Sequence, residues 1–338
     1  MKKLISLICV LAMVLALAAC GSSAPAAATE APAASTEAPA EDVSADKTFV
    51  VGICQLVQHP ALDAATQGFK DALTEALGDK VTFQEQNASG DSATCSLICN
   101  QFVSDEVDLI MANATASIQA AASATNTIPI LGTSITDYGV ALGVDNWTGV
   151  SGTNISGTSD LAPRDGQAAM IQELFPDAKT IGLLYCSGEP NSIFQADSME
   201  ALLTDMGYSV ERYTFADSND VSSVTANACS NADVLYIPTD NTAASCTEAI
   251  NNVALSAGIP IVAGEEGLAS GCGVATLSIS YYDLGRATGE MAAEILTEGA
   301  DISTMEVRFA PAFTKEYNAD ICEALNITVP EDYVAIAK

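Results

Sequence analysis

The residues best suited to chemistry lie in short polar loops that follow predicted β-strands. One loop holds His59, the only histidine of the chain, immediately before Pro60. Two others, residues 113–115 and 134–137, place hydroxyl and amide side chains at or near the start of a helix. Such a turn offers free backbone N–H groups and the positive end of the helix dipole, which suit a carboxylate. Simple capping of the helix by these side chains is the alternative interpretation.

Carboxylates take the corresponding places in the second half of the chain. Glu189, Asp240 and Glu265 each follow a predicted strand. Asp240 is expected either to cap its helix or to hold the ammonium group of a ligand. None of these loops contains Lys or Arg, so the collected side chains suit a zwitterion better than a phosphate.

The composition excludes several classes of function. The chain has 12 Lys and Arg against 43 Asp and Glu, a net charge of −31. This balance argues against a nucleic-acid partner, because phosphate neutralisation needs a basic surface. A single histidine excludes multi-histidine metal sites, and we expect neither a metal nor a cofactor. The chain contains no nucleophile elbow or Walker A motif, and only Cys54 could pair with His59, so we expect no enzyme and no catalytic residue.

Short β-rich runs alternate with amphipathic segments of helix length from Lys47 onward. Strands are predicted at 49–55, 81–86, 108–112, 128–132, 180–186, 209–215, 233–238 and 259–264, and the predicted helices include 241–257 and 315–325. This alternation indicates an α/β protein with two Rossmann-like lobes, each with a parallel sheet covered by helices. Residues 149–159 are predicted to cross between the lobes. Ligands of such sheets bind beyond the carboxyl ends of the strands, which places a site in the cleft.

The first 46 residues predict export and anchoring. Residues 1–19 combine a basic start with an apolar run that is short for a membrane span, as in a signal peptide. Their end, before Cys20, resembles a bacterial lipobox, which implies a lipid on that thiol; an ordinary signal peptide is the alternative. Residues 20–46, rich in Ala, Pro, Thr and Glu, are expected to form a disordered tether. The eight cysteines beyond it are expected to be mostly reduced, buried small hydrophobes.

Six segments, in order, resemble one family: QLVQHPALDAATQGF, DLIMANATASIQA, IPILGTSITD, LYCSGEPNS with YIPTDNT, and YYDLGRATGEMAAEIL. They look like the substrate-binding lipoproteins of ABC importers related to tryptophan- and tyrosine-binding proteins. The resemblance implies a type I periplasmic-binding fold, in which three crossing segments form the hinge between two α/β lobes. It implies one lobe from residues 48–152 plus 279–306 and a second from 156–275 plus 309–338.

The resemblance also implies positions for the ligand. Its carboxylate is expected near Asn113, Ala114 and Thr115, with help from Ser134 or Thr136, and its ammonium group near Asp240. The remaining predicted contacts come from both walls of the cleft: Gln55, Leu56, His59, Asp137, Glu189, Asn191, Ser192, Thr239, Asn241 and Glu265. The sequence departs from the family pattern at Gln58, Tyr138 and Cys186, which border the region of the ligand side chain.

The predicted function is therefore that of an extracytoplasmic solute-binding lipoprotein. We expect a monomer, held at the membrane only through lipid on Cys20, that captures an aromatic or other hydrophobic amino acid. The closed form would then dock on an ABC permease driven by its ATPase. A sugar, a nucleoside or a signalling molecule as ligand, and a sensory instead of a transport role, are the alternatives.

Overall fold

The computed structural model describes residues 47–310 and 312–337. The predicted signal peptide, Cys20 and the tether lie outside the described residues. Within the described part, no helix is both long and apolar enough to cross a membrane.

The first sheet contains six strands, all parallel, in the spatial order β11-β5-β4-β3-β1-β2. Its strands are β1 (Phe49–Gln55), β2 (Val81–Asn87), β3 (Leu109–Asn113), β4 (Ile130–Ile135), β5 (Ile155–Ser159) and β11 (Arg308–Phe309). The helices of this lobe are α1 (Pro60–Leu77), α2 (Ser92–Ser104), α3 (Thr115–Ala124), α4 (Tyr138–Leu142) and α11 (Tyr281–Glu298). Apolar side chains from both faces of the sheet build its core.

The second sheet contains seven strands in the order β13-β12-β10-β9-β8-β6-β7, with β10 and β12 antiparallel. Its strands are β6 (Thr180–Cys186), β7 (Ser209–Phe215), β8 (Val234–Ile237), β9 (Ile261–Ala263), β10 (Ala275–Ser278), β12 (Thr314–Tyr317) and β13 (Val334–Ala335). Its helices are α5 (Arg164–Leu174), α6 (Pro190–Asp205), α7 (Val221–Cys229), α8 (Asn241–Ala244), α9 (Thr247–Ala257), α10 (Glu266–Cys272) and α12 (Ala319–Ala324). This sheet too has apolar clusters on both faces.

The chain passes between the two sheets three times. It leaves the first sheet after β5, returns from β10 through α11 to β11, and then enters the second sheet again at β12. Helix α11 packs against α1 so closely that a Cβ atom on Gly285 would lie 2.0 Å from the carbonyl oxygen of Ala65. The predicted fold class, two parallel-sheet lobes with three crossing segments, is confirmed.

Several boundaries differ from the prediction. Residues 155–159 form β5 of the first sheet, so the crossing begins after them, and β11 also lies beyond the predicted end of that lobe. The helix predicted over 241–257 is divided between α8 and α9. The helix predicted over 315–325 is wrong in its first part, because residues 314–317 complete the edge of the second sheet beside β10. Strand β4 starts two residues later than predicted and runs to Ile135.

Candidate functional site

A small cavity lies where the carboxyl ends of the two sheets face each other. Together with the adjoining space that is open to solvent, it holds about 280 Å³ not filled by atoms. Both lobes and two of the crossing segments line it: His59, Leu62, Ser134, Thr136, Asp160, Asn191, Thr239, Asp240, Asn241, Ala244, Glu265 and Tyr281. Eight of the sixteen residues predicted from the sequence are therefore brought together around one cavity.

Direct contacts between the lobes close this cavity. The hydroxyl oxygens of Thr136 and Thr239 lie 3.2 Å apart, and His59 Nε2 lies 3.3 Å from Asn241 Oδ1. Because the Asn241 amide nitrogen donates to Glu189, its oxygen is the acceptor, and His59 must donate from Nε2. The Nδ1 atom of His59 is then an acceptor.

Three of the lining side chains have a buried polar atom with no hydrogen-bond partner among the described residues. These atoms are His59 Nδ1, Ser134 Oγ and Asp160 Oδ1. Each of these three residues is at most 6% exposed. Because an unsatisfied buried polar group costs roughly 1–3 kcal/mol, three around one cavity indicate a site built for a polar ligand.

Three buried carboxyl groups make the cavity strongly acidic. Burial raises the pKa of Asp160 to about 6 and that of Glu265 to about 7. Burial, together with the charge of Glu189, raises the pKa of Asp240 to about 8. The only histidine, His59, has a pKa lowered by burial, so it is neutral at pH 7. None of the twelve lining residues is Lys or Arg, and a cationic group on a ligand would therefore stabilise the ionised carboxylates.

Asp240 and Glu265 both act as helix caps. Asp240 accepts hydrogen bonds from the backbone N–H groups of Ala243, at 2.8 Å, and Cys186, at 2.6 Å. Glu265 accepts from the N–H groups of Gly267, at 2.5 Å, and Leu268, at 2.6 Å. Each carboxylate therefore already has one backbone donor on each of its oxygens.

Glu189 organises the second-lobe wall from outside the cavity. Its Oε1 accepts from the backbone N–H and the hydroxyl of Thr242, both at 2.8 Å, and its Oε2 accepts from the Asn241 backbone and side chain. These bonds orient Asn241 toward His59. Asn191, which lines the cavity, donates to the Thr239 carbonyl at 2.9 Å. Ser192 is fully buried beside Asp240.

Gln55 and Asn113 have structural partners within the first lobe. Gln55 donates to Val57 and Asp63 and accepts from the hydroxyl of Thr66. The Asn113 amide nitrogen donates to the Leu62 carbonyl and to Thr66, both at 2.9 Å, while its oxygen has no partner in the described chain. Neither side chain lines the cavity.

The remaining predicted contacts also lie outside the cavity lining. Ala114 has a positive φ of 87° and donates its N–H to the Thr133 carbonyl, while Thr115 is buried at the start of α3. Asp137 caps α4 through the N–H of Val140, and Leu56 lines a neighbouring groove instead. Binding of a carboxylate at residues 113–115 stays a prediction.

Four lining residues were missed: Leu62, Asp160, Ala244 and Tyr281. Asp160 follows β5 directly, in the same position that Thr136 takes after β4. The sequence hid this position because, after Ile155, the strand ISGTS consists of Gly and hydroxyl residues, which are typical of a loop. Tyr281, the first residue of α11, donates its hydroxyl to Asp160 Oδ2 at 2.8 Å.

No cysteine is among the residues that line the cavity. All eight within the described residues are unpaired, and six of them are buried. Cys54 and Cys95 both contact the Ser117 hydroxyl, at 3.7 and 3.6 Å. The described part of the chain holds no group of three His, Cys, Asp or Glu residues placed to bind a metal ion.

Two α/β lobes, three crossings and a closed polar cavity at the strand ends define a solute-binding protein of the type I periplasmic class. The family model of the ABC transporter substrate binding protein matches residues 50–338. The chain belongs to this family, whose role is to bind a solute and not to catalyse a reaction.

Relatives in sequence and structure agree with this assignment. The chain is 38% identical, over 82% of its length and 81% of the relative, to a tyrosine-binding protein of Clostridioides difficile strain R20291. A Streptococcus pneumoniae ABC domain in complex with L-Trp is 32% identical, with a TM-score of 0.80 over 84% of this chain and 97% of that one.

A third relative bears on the conformation. The ligand-free, open structure of a substrate-binding protein with adhesive properties from Clostridium difficile is 37% identical but has a TM-score of only 0.66, over 86% of this chain and 99% of that one. The chain thus superposes better on the L-Trp complex than on the open form, in keeping with its contacts between the lobes.

Proposed function

We propose that the protein captures an α-amino acid with an aromatic side chain in the cavity between its lobes. The observation that carries the proposal is the set of three unpartnered polar atoms, on His59, Ser134 and Asp160, around one cavity. A zwitterion offers both donors and acceptors to such a set, and its ammonium group suits the acidic lining.

The lining also favours a ligand with an apolar part. Leu62, Ala244 and the ring of Tyr281 supply apolar surface beside the polar groups. The relatives that bind tyrosine or are complexed with L-Trp support an aromatic amino acid as ligand. We expect the lobes to open and close about the three crossing segments as ligand enters and leaves.

The protein is proposed to act outside the cytoplasm, as a monomer that delivers its ligand to an ABC permease and its ATPase. Lipid on Cys20 would anchor it to the outer face of the cytoplasmic membrane. Cys20→Ser is expected to move the protein from the membrane fraction to the soluble fraction. Continued membrane association of the variant would contradict lipidation as the anchor.

Thermal unfolding against a ligand panel tests the proposed ligand class. The protein is purified, unfolded and refolded to remove carried-over ligand, and then heated with amino acids, sugars or nucleosides. A ligand at 100 times its Kd stabilises the folded state by about 2.7 kcal/mol, which raises the Tm measurably. We expect a shift with Tyr, Trp or Phe. A shift with sugars or nucleosides alone would contradict the amino-acid proposal.

A further inference from the structure

We propose that Asp160 is the residue that binds the ammonium group of the ligand, and that Tyr281 positions its carboxylate. This inference rests on the proposed function of binding an amino acid, and it names the residue that would recognise the amino group of the ligand. It differs from the sequence-based expectation, which placed the ammonium group at Asp240.

Hydrogen bonding separates Asp160 from the other two buried carboxylates. Both oxygens of Asp240, and both oxygens of Glu265, accept backbone N–H groups at the start of helices or from a strand end. Asp160 Oδ2 accepts from the Tyr281 hydroxyl, whereas Oδ1 has no partner among the described residues. Asp160 is therefore the carboxylate with an oxygen left for a ligand donor.

The charge of the cavity favours the same residue. An ammonium group gains most from a carboxylate that is ionised, and burial raises the pKa of Asp160 only to about 6. Asp240 is disfavoured as the ammonium partner, because burial and the charge of Glu189 raise its pKa and favour its protonated form. With 5% of its surface exposed, Asp160 is also shielded from the water that would weaken the pair.

The position of Asp160 joins ligand binding to the hinge. Asp160 directly follows β5 on the first crossing, and Tyr281 opens α11 on the second. The 2.8 Å bond between them holds one carboxylate oxygen in place and leaves the other for the ligand. An ammonium group on Oδ1 would thus contact the crossing segments as well as the lobes.

The test measures discrimination between an amino acid and its analogue without the amine. Calorimetry compares L-tyrosine with 3-(4-hydroxyphenyl)propanoate for the wild type, Asp160→Asn and, as a matched control, Asp301→Asn. Asp301 caps a surface turn through the N–H of Ser303 and does not line the cavity. We expect Asp160→Asn to lower the ratio of the two affinities at least tenfold, with most of the loss on L-tyrosine, and Asp301→Asn to preserve the ratio.

Tyr281→Phe separates positioning from packing. The phenylalanine keeps the ring but removes a hydrogen bond that favours ionised Asp160. On acidification, the variant should therefore lose half of its affinity for L-tyrosine at a higher pH than the wild type. A purely structural role of Tyr281 would leave this pH unchanged.

The outcomes of this test are distinct. Unchanged discrimination in a folded Asp160→Asn variant, with tight wild-type binding of L-tyrosine, would overturn the assignment of Asp160 and leave the proposed function intact. Failure of the wild type to bind any amino acid would overturn both.

Discussion

The hydroxyl groups of Thr136 and Thr239 lie 3.2 Å apart, although the two residues belong to different lobes and are 103 positions apart in the chain. Thr239 also accepts a hydrogen bond from Gln195 at 2.6 Å, which fixes its side chain on the second lobe. When the cleft closes, Thr136 of the first lobe thus contacts a Thr239 hydroxyl that is already held in place. Together with the contact between His59 and Asn241, this bond defines the closed state.

Thr136→Val is expected to weaken ligand affinity about 3- to 10-fold. The valine keeps the shape of the side chain but removes one hydrogen bond of the closed state, worth about 0.5–1.5 kcal/mol. Thr82→Val is the matched control, because the Thr82 hydroxyl bonds within the first lobe, to the Phe49 carbonyl. Titration calorimetry measures both. Equal affinities for the two variants would contradict a role of Thr136 in closure.

Glu265→Gln is expected to lower the free energy of unfolding by about 0.5–2 kcal/mol near pH 5, because glutamine replaces one of two acceptor oxygens with a donor. The difference in free energy of unfolding between the wild type and the variant should become smaller as pH rises. The pKa of Glu265 is raised in the folded state to about 7. Its contribution to wild-type stability is therefore fully present below the unfolded pKa and is lost as pH rises through about 7.

Urea unfolding at pH 5 and pH 8 measures this difference. Ser280→Ala serves as the control, since Ser280 caps α11 without a titratable group, and its deficit should not narrow in the same way. A deficit for Glu265→Gln that widens toward pH 8 would show that the carboxylate is stabilised in its ionised form, contrary to the prediction.

Gly157→Ala is expected to prevent folding or to cost more than about 3 kcal/mol of stability. Gly157 has a φ of +139°, and its Cβ would lie 2.0 Å from the Gly132 carbonyl oxygen and 2.4 Å from the Tyr138 hydroxyl oxygen. Such a clash inside paired strands cannot relax cheaply.

Gly143→Ala is the matched control for this position. Its φ of +65° is also left-handed, but no atom lies within 4 Å of the added Cβ, so a cost of about 1 kcal/mol is expected. Thermal unfolding of both variants measures the loss of stability that each substitution causes. A mild effect of Gly157→Ala would contradict the close pairing of β4 and β5.

Thiol reactivity should report the burial of the cysteines. Cys229 and Cys246 are half-buried, whereas the other six of the described chain are buried. A hydrogen bond with Cys95 lowers the pKa of the Cys54 thiol, but a hydrogen bond with Cys99 and burial raise it to about 12, which lowers its reactivity. An aromatic disulfide reagent should therefore modify Cys229 and Cys246 first, and a Cys229→Ser/Cys246→Ser variant should lose the fast phase. Rapid modification of Cys54 in the native protein would contradict this order.

The sequence predicted the architecture well, because alternating strands and helices with polar strand ends follow directly from hydrophobic patterning. Thr136, Asp240 and Glu265, which line the cavity, could be singled out from the sequence for this reason. Asp160 could not, because after Ile155 its strand is built from Gly157 and hydroxyl residues, whose burial hydrophobic patterning does not reveal. The choice between capping and ligand binding at Asp240 also needed coordinates, since it depends on the position of the Cys186 N–H, 54 residues earlier.

Calorimetric titration of the refolded protein with L-tyrosine and L-tryptophan, compared with Ala244→Phe, tests the central claim most directly. Ala244 lines the cavity and is buried, so a phenylalanine there fills the space without removing a polar group. The prediction is one-to-one binding of at least one of these amino acids to the wild type, and none to a variant whose circular dichroism is unchanged. Equal binding to both proteins would show that the cavity between the lobes is not the ligand site.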